Sequence, residues 1–399
     1  MRGALASPDY RRFWLGSLVA NLGLWVQSIA LGWLVYALTS KASWLGAVSF
    51  VGNLPTFALG LLGGAIADRM SRRAIMIVSL LVLAGSALLL ATLTATGHIA
   101  VGWVLVTAVI GGTATALYTP AMHSVMPQLV PEKDLLNAIS LNSVQFNLAR
   151  AVGPAVAGVL YGAVGPAWCF AINAVGFLVL AGVITSIHLP PRPAVAPPPI
   201  WRAVREGVRY VRAHPVIGPH ILLAAAMSLF GFPYIILLPA IASDVLHLDA
   251  RGLGLLMASV GSGAVIGGLF ASFGQRVPRG LLTAAGSVGF GIAVMSFAVV
   301  RTPPAVGALL FLLGALQTVT IASLTTTLQV EVAEALRGRV MSMLTVIFFG
   351  FSTLGGLCLG IAGDHVGVPG ALAAGGCVTT LVATALAARD RRTRSPRTA

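Results

Sequence analysis

The chain has 399 residues, of which 57% are hydrophobic and only 9% charged, with a mean hydropathy of +0.92. Soluble domains carry roughly a quarter charged residues, so the composition argues against a water-soluble fold. The formal net charge of +14 would suggest a nucleic-acid partner in a soluble protein, but the placement of the cations points to membrane topology instead.

Apolar runs long enough to cross a bilayer, about 20 residues each, recur along the whole chain. They predict twelve helices over approximately 13–38, 43–67, 74–96, 100–121, 139–163, 167–188, 216–240, 252–274, 281–300, 305–328, 340–363 and 368–388. Helices satisfy their own backbone groups in lipid. A membrane barrel would need alternating polarity, which these runs lack.

The first span carries a stripe at helical spacing: Trp14, Ser17, Asn21, Trp25, Ser28, Gly32 and Tyr36. Asn and Ser are costly against lipid, so this face should meet a cavity or another helix. Aromatic rings with a few polar groups suit a bulky amphipathic ligand. A small-residue packing face is the alternative. The second span ends in a short polar turn, GGAIADRMSRR at 63–73, which gathers Asp68 with Arg69, Arg72 and Arg73. A charged turn that only fixes topology is the bland reading of that segment.

The fifth span holds Arg150, about three turns into the helix. An arginine at that depth is a functional candidate by default. Ser143, Asn147, Arg150 and Pro154 share one helical face, which reads as a cavity wall. An arginine bonded to helix-end carbonyls is the other reading. Gly153, Pro154 and Gly158 follow; small residues let helices approach and proline bends them.

Six prolines between 190 and 199 interrupt any helix at the midpoint. Beyond them, Arg202, Arg205, Arg209 and Arg212 recur on one face of a segment whose other face holds Trp201, Val204, Val208 and Val211. That pattern fits a helix lying on the inner leaflet beside anionic headgroups, or a solvated linker helix. The expected domains are therefore a first six-helix half over 1–188, a cytoplasmic linker over 189–215 and a second half over 216–399. The halves repeat: shifting residues 130–173 by 202 positions gives ten ungapped identities, Gly153/Gly355, Gly158/Gly360 and Gly165/Gly367 among them. Thr318, Thr325 and Gln329 make a weaker polar stripe in the tenth span.

Twenty-one of the 25 lysines and arginines fall in the termini and in alternate loops on one side. Lys41, Arg251 and Arg301 lie opposite, and Arg150 lies within a span. The positive-inside rule then puts both termini and the central linker in the cytoplasm. Cys169, Cys358 and Cys377 sit in apolar spans, with no disulfide or metal spacing. The first apolar run is too long for a cleaved signal and should stay as an anchor.

The motif Gly64-x-x-x-Asp68-Arg69-x-x-Arg72-Arg73 resembles the loop signature of the major facilitator superfamily, with Ile66 and Ser71 in place of the usual Leu and Gly. Gly153-Pro154-x-x-x-Gly158 resembles that superfamily's antiporter motif, with Ala157 replacing one glycine. Together with 15–39, 127–160 and 336–343, these segments are similar to the group containing enterobactin-exporter-like and macrolide-efflux proteins. The resemblance implies an all-α membrane protein of twelve helices in two pseudo-symmetric halves, working by alternating access. It also implies that Asp68 is a conformational switch, capping the N-terminus of the eleventh helix near Val340–Ser342.

The expected function is export of small amphipathic molecules such as drugs, siderophores or secondary metabolites, across a bacterial inner membrane. Protons are the expected coupling ion. None of the eleven acids sits securely at mid-membrane; Asp244 and Asp364 lie near the outer ends of their spans. No P-loop is present, so ATP-driven transport is not expected. No cofactor, metal, enzymatic constellation or nucleic-acid partner is expected, and a monomer is the expected working unit. A nutrient facilitator or importer is the rival reading, followed by a non-transporting sensor or assembly partner.

Overall fold

A computed structural model of the chain describes residues 3–60, 71–187, 209–212, 214–273 and 278–394. Gly64, Asp68 and Arg69 of the expected switch loop lie outside the described residues, as does most of the linker. Eleven helical elements carry the architecture: α1 (Pro8–Thr39), α2 (Ala42–Gly60), α3 (Arg72–Ala95), α4 (Val101–Val125) and α5 (Leu135–Ser186), then α6 (Ile217–Val245), α7 (Ala250–Phe273), α8 (Arg279–Met295), α9 (Pro303–Glu331), α10 (Leu336–Val366) and α11 (Val368–Arg394). Among the described residues no strand occurs. Ten stretches there are long and apolar enough to cross a bilayer. The fifth and sixth expected spans run into one another in α5, and residues 61–67 of the second lie outside the described residues.

Local chemistry sets the element boundaries. Ser71 caps α3, its hydroxyl accepting a hydrogen bond from the Ala74 N–H at 3.2 Å, which satisfies one of the free donors of a first helical turn. Pro303 and Pro304 open α9, where missing N–H groups cost nothing. Inside α5, Gly165 has φ 80° and ψ 174° and is followed by Pro166. That backbone region is essentially open to glycine alone, so the chain breaks there. Gly367, its partner in the 202-residue repeat, also has positive φ, at 82°, and separates α10 from α11. The repeat thus preserves a backbone conformation as well as an identity.

The eleventh expected span starts earlier than expected. Helical residues begin at Glu334, just before the apolar stretch Leu336–Val366 that defines α10, and ahead of Val340–Ser342. An acid in the first turn offsets the positive end of the helix dipole, so the polar segment LRGR extends the helix instead of preceding it.

The chain divides into two compact units. One contains Met1–Thr39, Val51–Pro198 and Asp249–Ala258. Its core packs Tyr10 and Phe13 of α1, Met76 and Leu80 of α3, and Phe177 and Ile184 of α5. The other contains Ser40–Phe50, Pro199–Leu248 and Ser259–Ala399. There Tyr234 of α6 lies beside Phe290 of α8 and Phe297 of the 3-10 turn Ser296–Ala298 that follows it, with ring centroids 6.1 and 6.4 Å apart, all three almost fully buried. The Tyr234 hydroxyl donates to Gln317 Oε1 on α9 at 3.1 Å. π-helical turns at Met227–Gly231 and Ile347–Phe351 interrupt α6 and α10, and a third, Ile241–Val245, ends α6.

The break in α5 is testable. Nothing lies within 4 Å of a Cβ added at Gly165 or at Gly182, but only Gly165 has positive φ. Gly165→Ala should cost about 1–3 kcal/mol through backbone strain, whereas Gly182→Ala should cost nothing. Thermal unfolding of the two variants in detergent would separate them.

Candidate functional site

The polar stripe of α1 divides between two environments. At its N-terminal end the Trp14 indole N–H donates to the Leu141 carbonyl of α5 at 3.1 Å, and Gln145 donates back to the Trp14 carbonyl at 3.2 Å. One turn earlier the Tyr10 hydroxyl donates to the Ala138 carbonyl at 2.8 Å. Ser17 is buried here. Further along, Asn21 and Trp25 are half-buried, Ser28 is exposed and Tyr36 is buried. On α5, Ser143 is exposed and donates to the Ile139 carbonyl at 3.0 Å. Asn147 and Arg150 belong to the same helix, but their side chains lie outside the described residues.

The motif of Gly153, Pro154 and Gly158 is buried and forms two close helix contacts. A Cβ on Gly153 would sit 2.6 Å from Cβ of Trp25, so glycine is what allows α5 to reach α1 at this predicted cavity residue. A Cβ on Gly158 would lie 3.0 Å from the Ala250 carbonyl and 3.0 Å from Cα of Gly254 at the start of α7. Gly254 in turn faces the Pro154 carbonyl, 2.6 Å from its own virtual Cβ. Trp25, Gly153 and Pro154 are therefore brought to one junction of α1, α5 and α7.

Two intramembrane polar residues escape the stripe logic. Asn173 of α5 is fully buried and donates from Nδ2 to Gln27 Oε1 at 2.8 Å. Gln27 neighbours Ser28 in the chain but lies off the stripe. The signal available in the sequence was their polarity within apolar runs, which alone marks intramembrane candidates.

Of the loop signature, Arg72 and Arg73 open α3 and are half-buried. The Arg73 guanidinium donates to the Thr185 carbonyl at the end of α5. A cation there complements the negative end of that helix.

At the end of the helices opposite the cation-rich loops, two contacts join elements remote in the chain. The Asp364 carboxylate near the end of α10 accepts from the Ala42 N–H at 2.7 Å and from the Ser43 N–H at 3.3 Å, capping α2. Residues 40–50 belong to the same compact unit as Asp364. In the other unit, Arg251 in the first turn of α7 donates to the Gly162 carbonyl of α5 at 3.1 Å. Gly162 and Asp364 are equivalent positions in the 202-residue repeat. Each thus meets the start of a helix from the other repeat, with the charge carried by opposite partners. Gly360 beside Asp364 keeps this approach tight, its virtual Cβ lying 2.7 Å from the Ala42 carbonyl. Among the described residues no group of three or more His, Cys, Asp or Glu is arranged to hold a metal ion.

Known proteins are similar to this chain in sequence and in fold. The family model described as transmembrane secretion effector matches residues 3–396. The enterobactin exporter EntS of Citrobacter koseri is 26% identical over 348 residues, covering 85% of this chain and 81% of that protein. Macrolide efflux protein A of Streptococcus pyogenes is 26% identical over 285 residues, 70% of each. The staphyloferrin A transporter of Staphylococcus aureus is 25% identical over 259 residues, so the chain spans 64% of that relative's length. In fold, the nucleoside transporter NupG aligns over 96% of this chain and 99% of its own with a TM-score of 0.74 at 15% identity. A bacterial homologue of the iron transporter ferroportin, in an inward-facing state, aligns over 97% and 99% with a TM-score of 0.73 at 16% identity. With a family model covering nearly every residue and membrane-crossing helices throughout, the chain belongs to the transmembrane secretion effector family of major facilitator transporters.

Proposed function

We propose that this protein is a secondary exporter of small amphipathic molecules that works by alternating access and exchanges its cargo for protons. The observation that carries the reading is the pair of contacts made by Asp364 and Arg251. Both tie the start of one repeat's helix to a helix of the other repeat, and both are built from groups that could separate without unfolding either helix. A charge at a helix terminus contributes about 0.3–1 kcal/mol when exposed and up to about 2 when partly buried. Two such contacts could bias a two-state equilibrium by roughly tenfold, since about 1.4 kcal/mol is a factor of ten. That is strong enough to favour a closed end and weak enough to be reversed by ligand.

In this reading the architecture is twelve spans in two six-helix halves, 1–188 and 216–399, joined by a cytoplasmic linker over 189–215. Both termini face the cytoplasm of a bacterial cell and the protein works as a monomer. Asp68 acts at the cytoplasmic end as Asp364 acts at the outer end. Asn21, Trp25, Ser28, Tyr36, Ser143, Asn147 and Arg150 contribute to the cargo pathway, with the Gly153-Pro154-x-x-x-Gly158 junction as its flexible wall. The names of the relatives, which describe enterobactin export, macrolide efflux and staphyloferrin A transport, support amphipathic cargo.

Two measurements test the proposal. In liposomes loaded with a pH-sensitive dye, macrolides or siderophores should drive proton flux through the wild type, and Asp68→Asn and Arg150→Ala should lower it at least several-fold. Transport without proton movement would make the protein a facilitator instead. On a cysteine-free background, a Val48→Cys reporter should react with a membrane-impermeant maleimide several-fold faster when Asp364→Ala is added. Arg251→Gln should act in the same direction. Unchanged labelling in both would show that these contacts do not hold the outer end closed.

A further inference from the structure

Cations and apolar side chains meet in a cavity of about 350 Å³ where α6 begins and α11 ends. Arg212, His214 and Arg389 line it together with Pro219, Leu222 and Leu386. Among the described residues that line it none is acidic.

The basic lining is built on ordered structure. Val211 is buried, and the Tyr210 hydroxyl accepts from the Ala333 N–H at 3.4 Å, fixing the short helical segment that carries Arg212. Gly218 lets that segment fold back onto α6, because a Cβ there would lie 2.8 Å from the Val211 carbonyl. His214 Nδ1 accepts from the Val216 and Ile217 N–H groups at 3.3 Å each. Its proton therefore resides on Nε2, which leaves the ring a donor. The Tyr210 ring, 5.7 Å away, supports the imidazole.

The position decides the ligand class. Arg389 closes the apolar stretch Val368–Arg389, and His214 precedes the stretch Ile217–Val245, so the cavity sits at a membrane boundary. Leu222 is 57% exposed and belongs to the apolar stretch Ile217–Val245, which Arg212 and His214 precede. Basic pockets between helices at such a boundary suit phosphate headgroups. An inorganic anion would use the arginines and gain nothing from Leu222, Leu386 and Pro219. An anionic phospholipid would use both kinds of lining residue, its phosphate on the guanidinium groups and an acyl chain along the leucines.

We propose that the cavity bounded by Arg212, His214, Arg389 and Leu222 is a binding site for one anionic phospholipid of the surrounding membrane. The test is native mass spectrometry of the full-length protein, released from detergent with phosphatidylglycerol or phosphatidylcholine added. Wild type should retain one phosphatidylglycerol in preference to phosphatidylcholine. R212Q/R389Q should retain about tenfold less, R212K/R389K should recover most of it, and R337Q, which removes one cation outside the cavity lining, should match wild type. Equal loss in R337Q, or no loss in R212Q/R389Q, overturns the site. Displacement of the lipid by millimolar inorganic phosphate also overturns it, assigning the cavity to a free anion.

Discussion

Helices in lipid gain no hydrophobic energy by leaving it, since lipid tails are as apolar as leucine. Cohesion must come from close backbone approach and from a few interhelical hydrogen bonds, each averaging only about 0.6 kcal/mol in a membrane. The structure depends on that constraint. Gly153 admits the base of Trp25, Gly158 and Gly254 admit one another's backbones, and Gly360 admits the start of α2. A methyl group at any of these points would meet backbone or Cβ atoms at 3.0 Å or less. Dispersion between interlocked backbones then does what hydrophobic burial does in water.

The same constraint concentrates polar groups at few places. Polar side chains such as Asn173 with Gln27 and Tyr234 with Gln317 bond to one another across helices. Free N–H and C=O groups otherwise exist only at helix ends and breaks. That is where Asp364, Arg251 and Arg73 act: on the N-terminus of α2, on the Gly162 carbonyl before the break in α5, and on the Thr185 carbonyl at its end. These contacts stand at helix ends and leave the helix interiors intact. Groups of that kind suit a transporter, whose helices must separate at one end and remain folded.

The internal repeat clarifies which features are structural. Gly165 and Gly367 share a positive φ, and Gly158 and Gly360 both face the start of a helix from the other repeat. Position 162/364 differs: a glycine carbonyl accepts from an arginine in one repeat, and an aspartate accepts from backbone N–H groups in the other. Backbone geometry is held in both copies, while the electrostatic partner has changed sides.

Much of this was legible in the amino-acid sequence, because hydropathy and backbone preference are local. The apolar runs, the proline-rich midpoint, the repeat, and the glycines at 153, 158 and 165 follow from residue type and spacing alone, and the loop and fifth-span motifs pointed to the family. What only the tertiary structure decided was which helix ends meet. Asp364 was visible as an acid near the end of a span, but its partner Ala42 lies 322 residues away in the chain. Trp25 was readable as part of a stripe, yet its contact with Gly153 depends on how α1 and α5 are set against each other. The early start of the helix at Glu334 and the pairing of Gln27 with Asn173 were likewise hidden. A sequence records which groups need partners; the partners are chosen by adjacency, which forms only when the helices pack.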